Sequence, residues 1–356
     1  MKVLHVISGG ETGGSRKHVI TLLEQFDPAE VTLAVFQEGA LAEEARASGI
    51  RTVLFAQKSR YDLSVLSRLS AFIKEEQFDI LHTHGPRANL FGIYVKKRTG
   101  ICWVTTVHSD PALDFVKGGI KGRVFTRISL YAIRQMDHYF AVSDRFKQNL
   151  VSLGIRPEKV TTVYNGIHFT EEAAEAAALP VPEHSFVIAM VARLHPIKGH
   201  EVVFEALRRL EAKPQLLLVG DGPIEDELHE KAKDLYGHVH FLGFRQDVAG
   251  IYAASDVALL ASYSESFPLA LLEAANERIP LISTDVGGVG ELITEGETGW
   301  IVPTGEAEAL AEAIQKAMQA DVKQMGEKLY EHASTHFSLE QLHKATKEVY
   351  TKIASR

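Results

Sequence analysis

The chain has 356 residues, of which 46% are hydrophobic, and it carries a formal net charge of −8. This length exceeds one ordinary core and suits two domains of a soluble globular protein. No uncharged apolar run approaches about 18 residues, so the composition excludes a membrane-spanning helix. The single cysteine, Cys102, excludes an internal disulfide, and we expect a cytoplasmic protein.

The charge is distributed unevenly along the chain. Residues 1–165 contain 22 Lys/Arg and 16 Asp/Glu, a balance of +6, whereas residues 166–356 contain 16 and 30, a balance of −14. A basic half favours anionic partners such as phosphates, an acidic substrate or an anionic membrane surface, and it does not select among them.

The first half alternates short apolar runs with helical patterns. The N-terminal "MKVLHVIS" is too short for a secretory signal and is typical of a first strand. The later predicted strands are "EVTLAVFQ", "RTVLFA", "FDILHTHG", "CWVTTVHS", "HYFAVSD" and "KVTTVYNG".

A second alternating series begins after residues 168–184, "HFTEEAAEAAALPVPEH", which we interpret as a linker with a short helix. The predicted strands of this series are "SFVIAMVARL", "PQLLLVGDGP", "HVHFLGF", "DVALLAS", "IPLISTDVGG" and "TGWIVP", and the tail from about Glu306 has helical periodicity. Strands that alternate with helices predict two doubly wound parallel sheets. Ligands of such sheets bind at the carboxyl ends of the strands, so the loops there carry the functional prediction.

Three of these loops lie in the first half. The loop "GGETGGS" after the first strand could bind a phosphate through glycine amides and a helix N-terminus, or it could be a tight turn. His82 and His84 alternate along a strand, which permits a metal site, but we find no matching third ligand. His108 follows another strand, where it could contact a substrate or be structural.

Three loops of the second half carry charge or glycine. Arg193 and Lys198 lie five residues apart across a turn with a proline, and they could converge on one diphosphate or form a basic surface turn. Gly220 follows a strand in "LLLVGDGP". Glu265 and Glu273 flank "SFPLALL", which permits either an amphipathic helix with two solvated acids or a ligand site at a helix N-terminus.

Taken together and in this order, the motifs resemble the retaining glycosyltransferases of the family 4 group, which have the GT-B fold. The matching stretches are "GGETGGSRKHV", "HTHGPRANLFG", "VHSD", "VYNGI", "VARLHPIKGHE", "LLLVGDGP" and the E-x7-E pair Glu265 and Glu273. The resemblance implies two tandem Rossmann-like domains facing a deep cleft. It implies an N-terminal acceptor-side domain of residues 1–167, joined by a C-terminal helix of about 339–356, and a donor-binding domain of residues 168–338.

The resemblance also implies roles for individual residues. The catalytic set that it implies is His108, Arg193, Lys198 and Glu265. The donor-binding set is Gly13, Gly14, Gly220, Phe267, Pro268, Leu269 and Glu273. In these roles the two cations grip the donor diphosphate, Glu265 lies near the sugar ring, and Glu273 accepts from the ribose hydroxyls.

The implied reaction moves a sugar from a UDP-, GDP- or ADP-sugar to a hydroxyl acceptor, with retention at the anomeric carbon and without an essential metal or other cofactor. The acceptor would be a glycan, a lipid-linked molecule or a small molecule of cell-surface polysaccharide or glycolipid synthesis, and no nucleic acid partner is expected. The chain departs from the family pattern at Ser266, where a glycine is usual, and at His168, where an acid is usual.

Two other functions share this architecture. A nucleotide-sugar epimerase would turn over its donor without an acceptor, and a non-catalytic partner subunit would bind a donor without transfer. The basic segment 115–136 could bring the protein to the inner face of the cell membrane as a peripheral protein, or it could be a solvated helix on its own sheet.

Overall fold

A computed structural model of the chain describes residues 1–11, 14–57, 62–108 and 119–355, without the side chains of residues 119–121, 123 and 124. The chain divides into two compact units. Unit 1 comprises Met1–Gly166 with Leu339–Arg356, and unit 2 comprises Ile167–Ser338.

Unit 1 is built on a seven-stranded parallel sheet with the order β3-β2-β1-β4-β5-β6-β7. Its strands are short, and β1, β2 and β4 at its centre are wholly buried, as expected for a parallel sheet that is covered on both faces, whereas the edge strand β3 is half-buried. They are β1 (Val3–Ile7), β2 (Val31–Val35), β3 (Thr52–Leu54), β4 (Ile80–His84), β5 (Cys102–Val107), β6 (His138–Ala141) and β7 (Val160–Thr162).

The helices of unit 1 include one that follows unit 2 in the chain. They are α1 (Gly14–Leu23), α2 (Ala40–Ala47), α3 (Ser64–Glu76), α4 (Pro86–Thr99), α5 (Gly119–Ile133), α6 (Asp144–Ser152) and α14 (Leu339–Ala354). Apolar side chains at Leu339, Leu342, Val349 and Ile353 give α14 one buried stripe, which joins the core formed by β1, β2 and α1.

Unit 2 repeats this design with a six-stranded parallel sheet of order β10-β9-β8-β11-β12-β13. Its strands are β8 (Val187–Val191), β9 (Gln215–Val219), β10 (Val239–Gly243), β11 (Val257–Leu260), β12 (Leu281–Thr284) and β13 (Gly299–Val302). Its helices are α7 (His200–Arg209), α8 (Glu225–Lys231), α9 (Val248–Ala253), α10 (Leu269–Asn276), α11 (Val289–Leu292), α12 (Ala307–Ala317) and α13 (Val322–His336).

The thirteen predicted strands and both doubly wound sheets are confirmed. The short helix predicted within residues 168–184 is wrong, because this segment forms no helix. Two of its backbone amides bond to later residues of unit 2 instead. The Ala174 amide donates to Glu277 Oε2 at 2.7 Å and the Ala177 amide donates to the Gly250 carbonyl at 2.9 Å. Amides held in this way are not available for the bonds of a helix.

Within the ranges described here, no helix combines the length and the apolar character that crossing a bilayer requires.

Candidate active-site residues of the two units

Two of the predicted site residues of unit 2, Lys198 and Glu265, form an ion pair. Lys198 follows β8 and Glu265 follows β11, and these neighbouring parallel strands bring their carboxyl-end loops together. Lys198 Nζ lies 2.5 Å from Glu265 Oε1, and the Ser262 hydroxyl donates to the same oxygen at 2.7 Å. The side chains are 23% and 14% exposed, so both charges lie in a partly desolvated position. Sequence reasoning missed Ser262.

Glycines allow these loops to approach each other closely. Gly199 adopts a φ of +69°, and a Cβ at this residue would lie 2.1 Å from the Ala261 carbonyl oxygen. Gly287, with φ of +52°, approaches the Ser266 carbonyl oxygen in the same way, at 2.2 Å. Only glycine fits either position without displacing backbone, so both residues fix the loops that carry Lys198 and Glu265.

The stretch between the two glutamates enters α10. Pro268 is the residue before the helix, and Leu269 is its first residue. The Phe267 side chain is buried and its ring lies 5.1 Å from that of Phe337, so only its backbone could meet a ligand. Glu273 is half-buried inside the helix, and burial together with the Glu273 charge raises the pKa of Tyr252.

Arg193 and Gly220 lie at neighbouring strand ends. Gly220, with φ of +136°, would place a Cβ 2.3 Å from the Ala192 carbonyl oxygen. The amide of Leu194 donates to the Asp221 carbonyl at 2.7 Å, which fixes the backbone around Arg193 while its side chain remains exposed. A fixed backbone with an exposed guanidinium suits the binding of an anion from solvent.

His200 is a feature of this region that sequence reasoning missed. It is the first residue of α7, it is buried, and neither ring nitrogen has a hydrogen-bond partner among the described residues. Burial, assisted by the Lys198 charge, lowers its pKa to about 4, so the ring is neutral at pH 7.

In unit 1, the glycine loop after β1 differs from a simple phosphate cradle. The Glu11 carboxylate accepts from the Ser8 amide at 3.2 Å and from the Gly9 amide at 2.7 Å. These two amides are therefore already bonded to an anionic group of the protein. Gly14 is exposed at the start of α1, and Gly13 lies outside the described residues.

The half-buried His108 belongs to a cluster of five histidines, of which the other four are buried. Its ring centroid lies 4.7 Å from that of His18 and 5.8 Å from that of His84, and His5 and His82 stack nearby. Burial is the largest cause that lowers the pKa of all five, to about 3 for His5 and about 4 for His18. Residues 109–118, which include the end of the "VHSD" motif, lie outside the described residues.

Strand order places His5 next to His82 and His84, the pair for which the sequence indicated no third metal ligand. In the β1–β4 register His5 pairs with His82, and nitrogens of His5, His82 and His84 lie within 4.8 Å of one another, a set that could hold a metal ion. His5 and His82 already use both ring nitrogens in hydrogen bonds, and the three rings lie within 29° of parallel. We therefore interpret the set as a hydrogen-bonded network.

The architecture matches solved structures over almost all of the chain. The crystal structure of Anabaena Alr3699/HepE in complex with UDP has a TM-score of 0.86 at 21% identity, covering 99% of this chain and 100% of that chain. A glycosyltransferase from Rickettsia africae ESF-5 has a TM-score of 0.81 at 23% identity, with coverage of 99% and 98%. These likenesses define the GT-B fold of glycosyltransferases.

Relatives in sequence identify the family. The chain is 30% identical over 313 residues to N-acetyl-alpha-D-glucosaminyl L-malate synthase of Bacillus anthracis, covering 82% of this chain and 79% of that protein. It is 25% identical over 340 residues to UDP-Gal:alpha-D-GlcNAc-diphosphoundecaprenol alpha-1,3-galactosyltransferase of Escherichia coli, covering 88% and 87%.

Residues 12–171 match the family described as Glycosyltransferase Family 4, and residues 171–335 match that described as Glycosyl transferases group 1. The chain therefore belongs to glycosyltransferase family 4 and is a glycosyltransferase. Neither relative described above is named an epimerase.

Proposed function

We propose that this glycosyltransferase moves a sugar from a nucleotide diphosphate sugar to a hydroxyl acceptor, with retention and without an essential metal. Unit 2 holds the donor, and unit 1 holds the acceptor. The observation that carries the proposal is the Lys198–Glu265 ion pair at the carboxyl edge of the unit 2 sheet, together with the exposed Arg193, which follows the same strand, β8, as Lys198. The UDP in the Alr3699/HepE complex supports a nucleotide-sugar donor.

On this proposal the cations stabilise the departing diphosphate. As the bond from the anomeric carbon to the diphosphate oxygen breaks, negative charge develops on that oxygen, and Arg193 and Lys198 compensate it. The acceptor hydroxyl adds to the same face of the sugar and gives its proton to the leaving diphosphate. Glu265 positions Lys198 by its 2.5 Å contact, and Glu273 accepts from the ribose hydroxyls.

The test replaces each partner of this pair. We expect Lys198→Ala and Glu265→Ala to lower kcat/KM by about 10²–10³-fold while the far-ultraviolet circular dichroism is unchanged, because each removes charge from the reacting centre. Lys233→Ala is the matched control. Its ion pair with Glu230 has the same 2.5 Å separation but is largely exposed, so activity should be kept.

The assay is run with candidate nucleotide sugars, with and without acceptor. Wild-type turnover of the donor that needs no acceptor and gives its epimer would contradict the transfer proposal. Full activity in both Lys198→Ala and Glu265→Ala would contradict the assignment of the site.

The acceptor of this proposal is a glycan or a lipid-linked molecule, as for the alpha-D-GlcNAc-diphosphoundecaprenol named for the Escherichia coli relative. Peripheral contact with an anionic membrane is part of the proposal, and it is supported by Ile128 and Tyr131, which are exposed on α5 with Arg127, and by the exposed Arg134 directly after this helix. Of the segment 115–136, residues 115–118 lie outside the described residues.

Co-sedimentation with vesicles that contain 30% anionic lipid, a fraction of roughly one third chosen for a clear electrostatic signal, tests this contact. Ile128→Ser and Tyr131→Ser should weaken it, and Tyr236→Ser, which alters an exposed aromatic residue of unit 2, should not. Binding that is independent of anionic lipid would contradict the contact.

A further inference from the structure

Five buried side chains of unit 1 form a continuous chain of hydrogen bonds, which we name the relay: Thr106, His82, Tyr350, His5 and His84. Thr106 Oγ1 lies 2.8 Å from His82 Nε2, and His82 Nδ1 is bonded to the Tyr350 hydroxyl. That hydroxyl lies 3.3 Å from His5 Nε2, and His5 Nδ1 lies 3.0 Å from His84 Nε2. The relay thus runs from β5 through the helix α14 to the last residue of β4.

Every member of the relay is uncharged at neutral pH. Burial lowers the pKa of the three histidines and raises that of the Tyr350 phenol. Each imidazole therefore carries one N–H and one lone pair, and the phenol carries one proton.

Neutral groups in a row can satisfy all their bonds in only two directions. In the first, Thr106 donates to His82 Nε2, His82 Nδ1–H donates to the phenol, and the phenol donates to His5 Nε2. His5 Nδ1–H then donates to His84 Nε2, which leaves the remaining proton of His84 on Nδ1. In the second, every bond is reversed, and His84 Nδ1 is a bare lone pair.

Thr106 selects between the two directions. In the second direction its oxygen accepts from His82, and its own proton needs another acceptor. The Thr106 hydroxyl has no second hydrogen-bond partner within the described ranges. A buried hydroxyl proton without an acceptor costs about 1–3 kcal/mol, so the first direction is favoured.

We propose that the relay fixes His84 as its Nδ1–H tautomer and so makes His84 a positioned hydrogen-bond donor beside His108, with Tyr350 as a positioning residue. His84 Nδ1 and His108 Nε2 are both buried, and neither has a partner in the described residues. Both side chains lie at the carboxyl ends of adjacent strands, β4 and β5, where this class of sheet binds ligands.

The oxygen that suits this donor is a hydroxyl of a sugar substrate. A neutral imidazole N–H donates to a hydroxyl without the charge that binding a carboxylate or phosphate there would require, and the cluster of five histidines is held neutral. This last step rests on the proposed function, whereas the tautomer of His84 does not depend on it.

The test is the tautomer itself, measured by long-range ¹H–¹⁵N NMR of the histidine rings in the full chain, treated with EDTA and free of substrate. We expect a protonated Nδ1 and an unprotonated Nε2 for His84, assigned by the loss of its signals in His84→Asn. Tyr350→Phe and Thr106→Val should both move the two resonances towards intermediate positions, because either change removes the bias. Thr106→Ser keeps the hydroxyl and should keep the wild-type spectrum.

Thr161→Val is the matched control, because Thr161 Oγ1 contacts His138 Nε2 at the same 2.8 Å outside the relay. It should change only the His138 signals. A wild-type His84 protonated on Nε2, or a His84 tautomer unchanged in both Tyr350→Phe and Thr106→Val, would overturn the relay. A zinc-dependent change in the His5 or His82 signals would overturn it in favour of a metal site.

Measurements of transfer activity test whether the tautomer of His84 contributes to substrate binding. With the tautomer altered, Tyr350→Phe and Thr106→Val should lower kcat/KM by about tenfold, the equivalent of one hydrogen bond. An altered tautomer with unchanged transfer would overturn the role of His84 in substrate binding while leaving the proposed reaction intact. Loss of all transfer in wild type would instead refute the proposed function.

Discussion

Units 1 and 2 share a parallel-sheet design but place opposite chemistry at the carboxyl ends of their strands. In unit 2 the loops after β8 and β11 hold a charged pair, Lys198 and Glu265, in partial contact with solvent. In unit 1 the ends of β4 and β5 hold the buried His84 and the half-buried His108, and both rings are neutral at pH 7. We therefore propose that the same topology serves an anion site in one unit and an uncharged hydrogen-bonding site in the other, and that the loop residues decide which.

The largest expected difference between the units is in how much folding stability each loses as the pH falls. Unfolded histidines bind protons near pH 6.5, but His5 and His18 bind them only near pH 3 and pH 4 when folded. The folded state thus binds fewer protons, so its stability is complete above pH 6.5 and falls as the pH decreases. Each such histidine removes about 1.4 kcal/mol per pH unit between its two pKa values.

The two tryptophans allow the units to be followed separately, since Trp103 lies in unit 1 and Trp300 in unit 2. The free energy of urea unfolding of Trp300→Phe, which reports on Trp103, should fall by about 4 kcal/mol between pH 6.5 and pH 4.5 from His5 and His18 together. The reciprocal variant Trp103→Phe should lose less, because His200 is the buried histidine of unit 2 whose pKa falls to about 4. Equal losses of unfolding free energy in the two variants would contradict the predicted difference in pH dependence between the units.

A smaller effect is expected from the glycine that shapes the charged site. Gly199→Ala should lower the free energy of unfolding of unit 2 by about 3 kcal/mol, since the new Cβ meets a carbonyl oxygen in a left-handed backbone. Gly49→Ala is the control. Its φ of +76° is similar, but no atom lies within 4 Å of the added Cβ, so only the backbone cost of about 1 kcal/mol applies. Similar losses in both variants would show that the approach to Ala261 does not matter.

The smallest effect is expected from the ion pair that joins α14 to the rest of unit 1. Lys347 Nζ lies 3.3 Å from Glu30 Oε2 and both side chains are substantially exposed. Lys347→Ala should therefore change the free energy of unfolding by less than about 0.5 kcal/mol. A loss above 1 kcal/mol, on the scale of about one buried hydrogen bond, would mean that charge rather than packing holds the helix.

The sequence was sufficient for the strands because each is a short apolar run between turn residues, and such runs are visible locally. It was insufficient for residues 168–184, where alanines favour a helix but Glu277 and Gly250 capture the backbone amides. Those partners lie more than seventy residues away in the chain, and no local pattern indicates them.

The histidine cluster shows the same limit in another form. His82 and His84 were visible as a pair, but His5 joins them only because β1 lies beside β4 in the sheet. Tyr350 joins through a contact across 268 residues. Periodicity reveals which face a residue occupies, whereas strand order decides which residues meet.

The position of α14 in the chain has a consequence for biosynthesis. A ribosome delivers Leu339–Ala354 only after all of unit 2, although the apolar stripe of this helix completes the core of unit 1. Nascent unit 1 therefore waits with part of β1, β2 and α1 uncovered, and with His5 and His82 lacking the phenol that they share. Chaperones that recognise exposed apolar surface would have their longest opportunity on this first-made half.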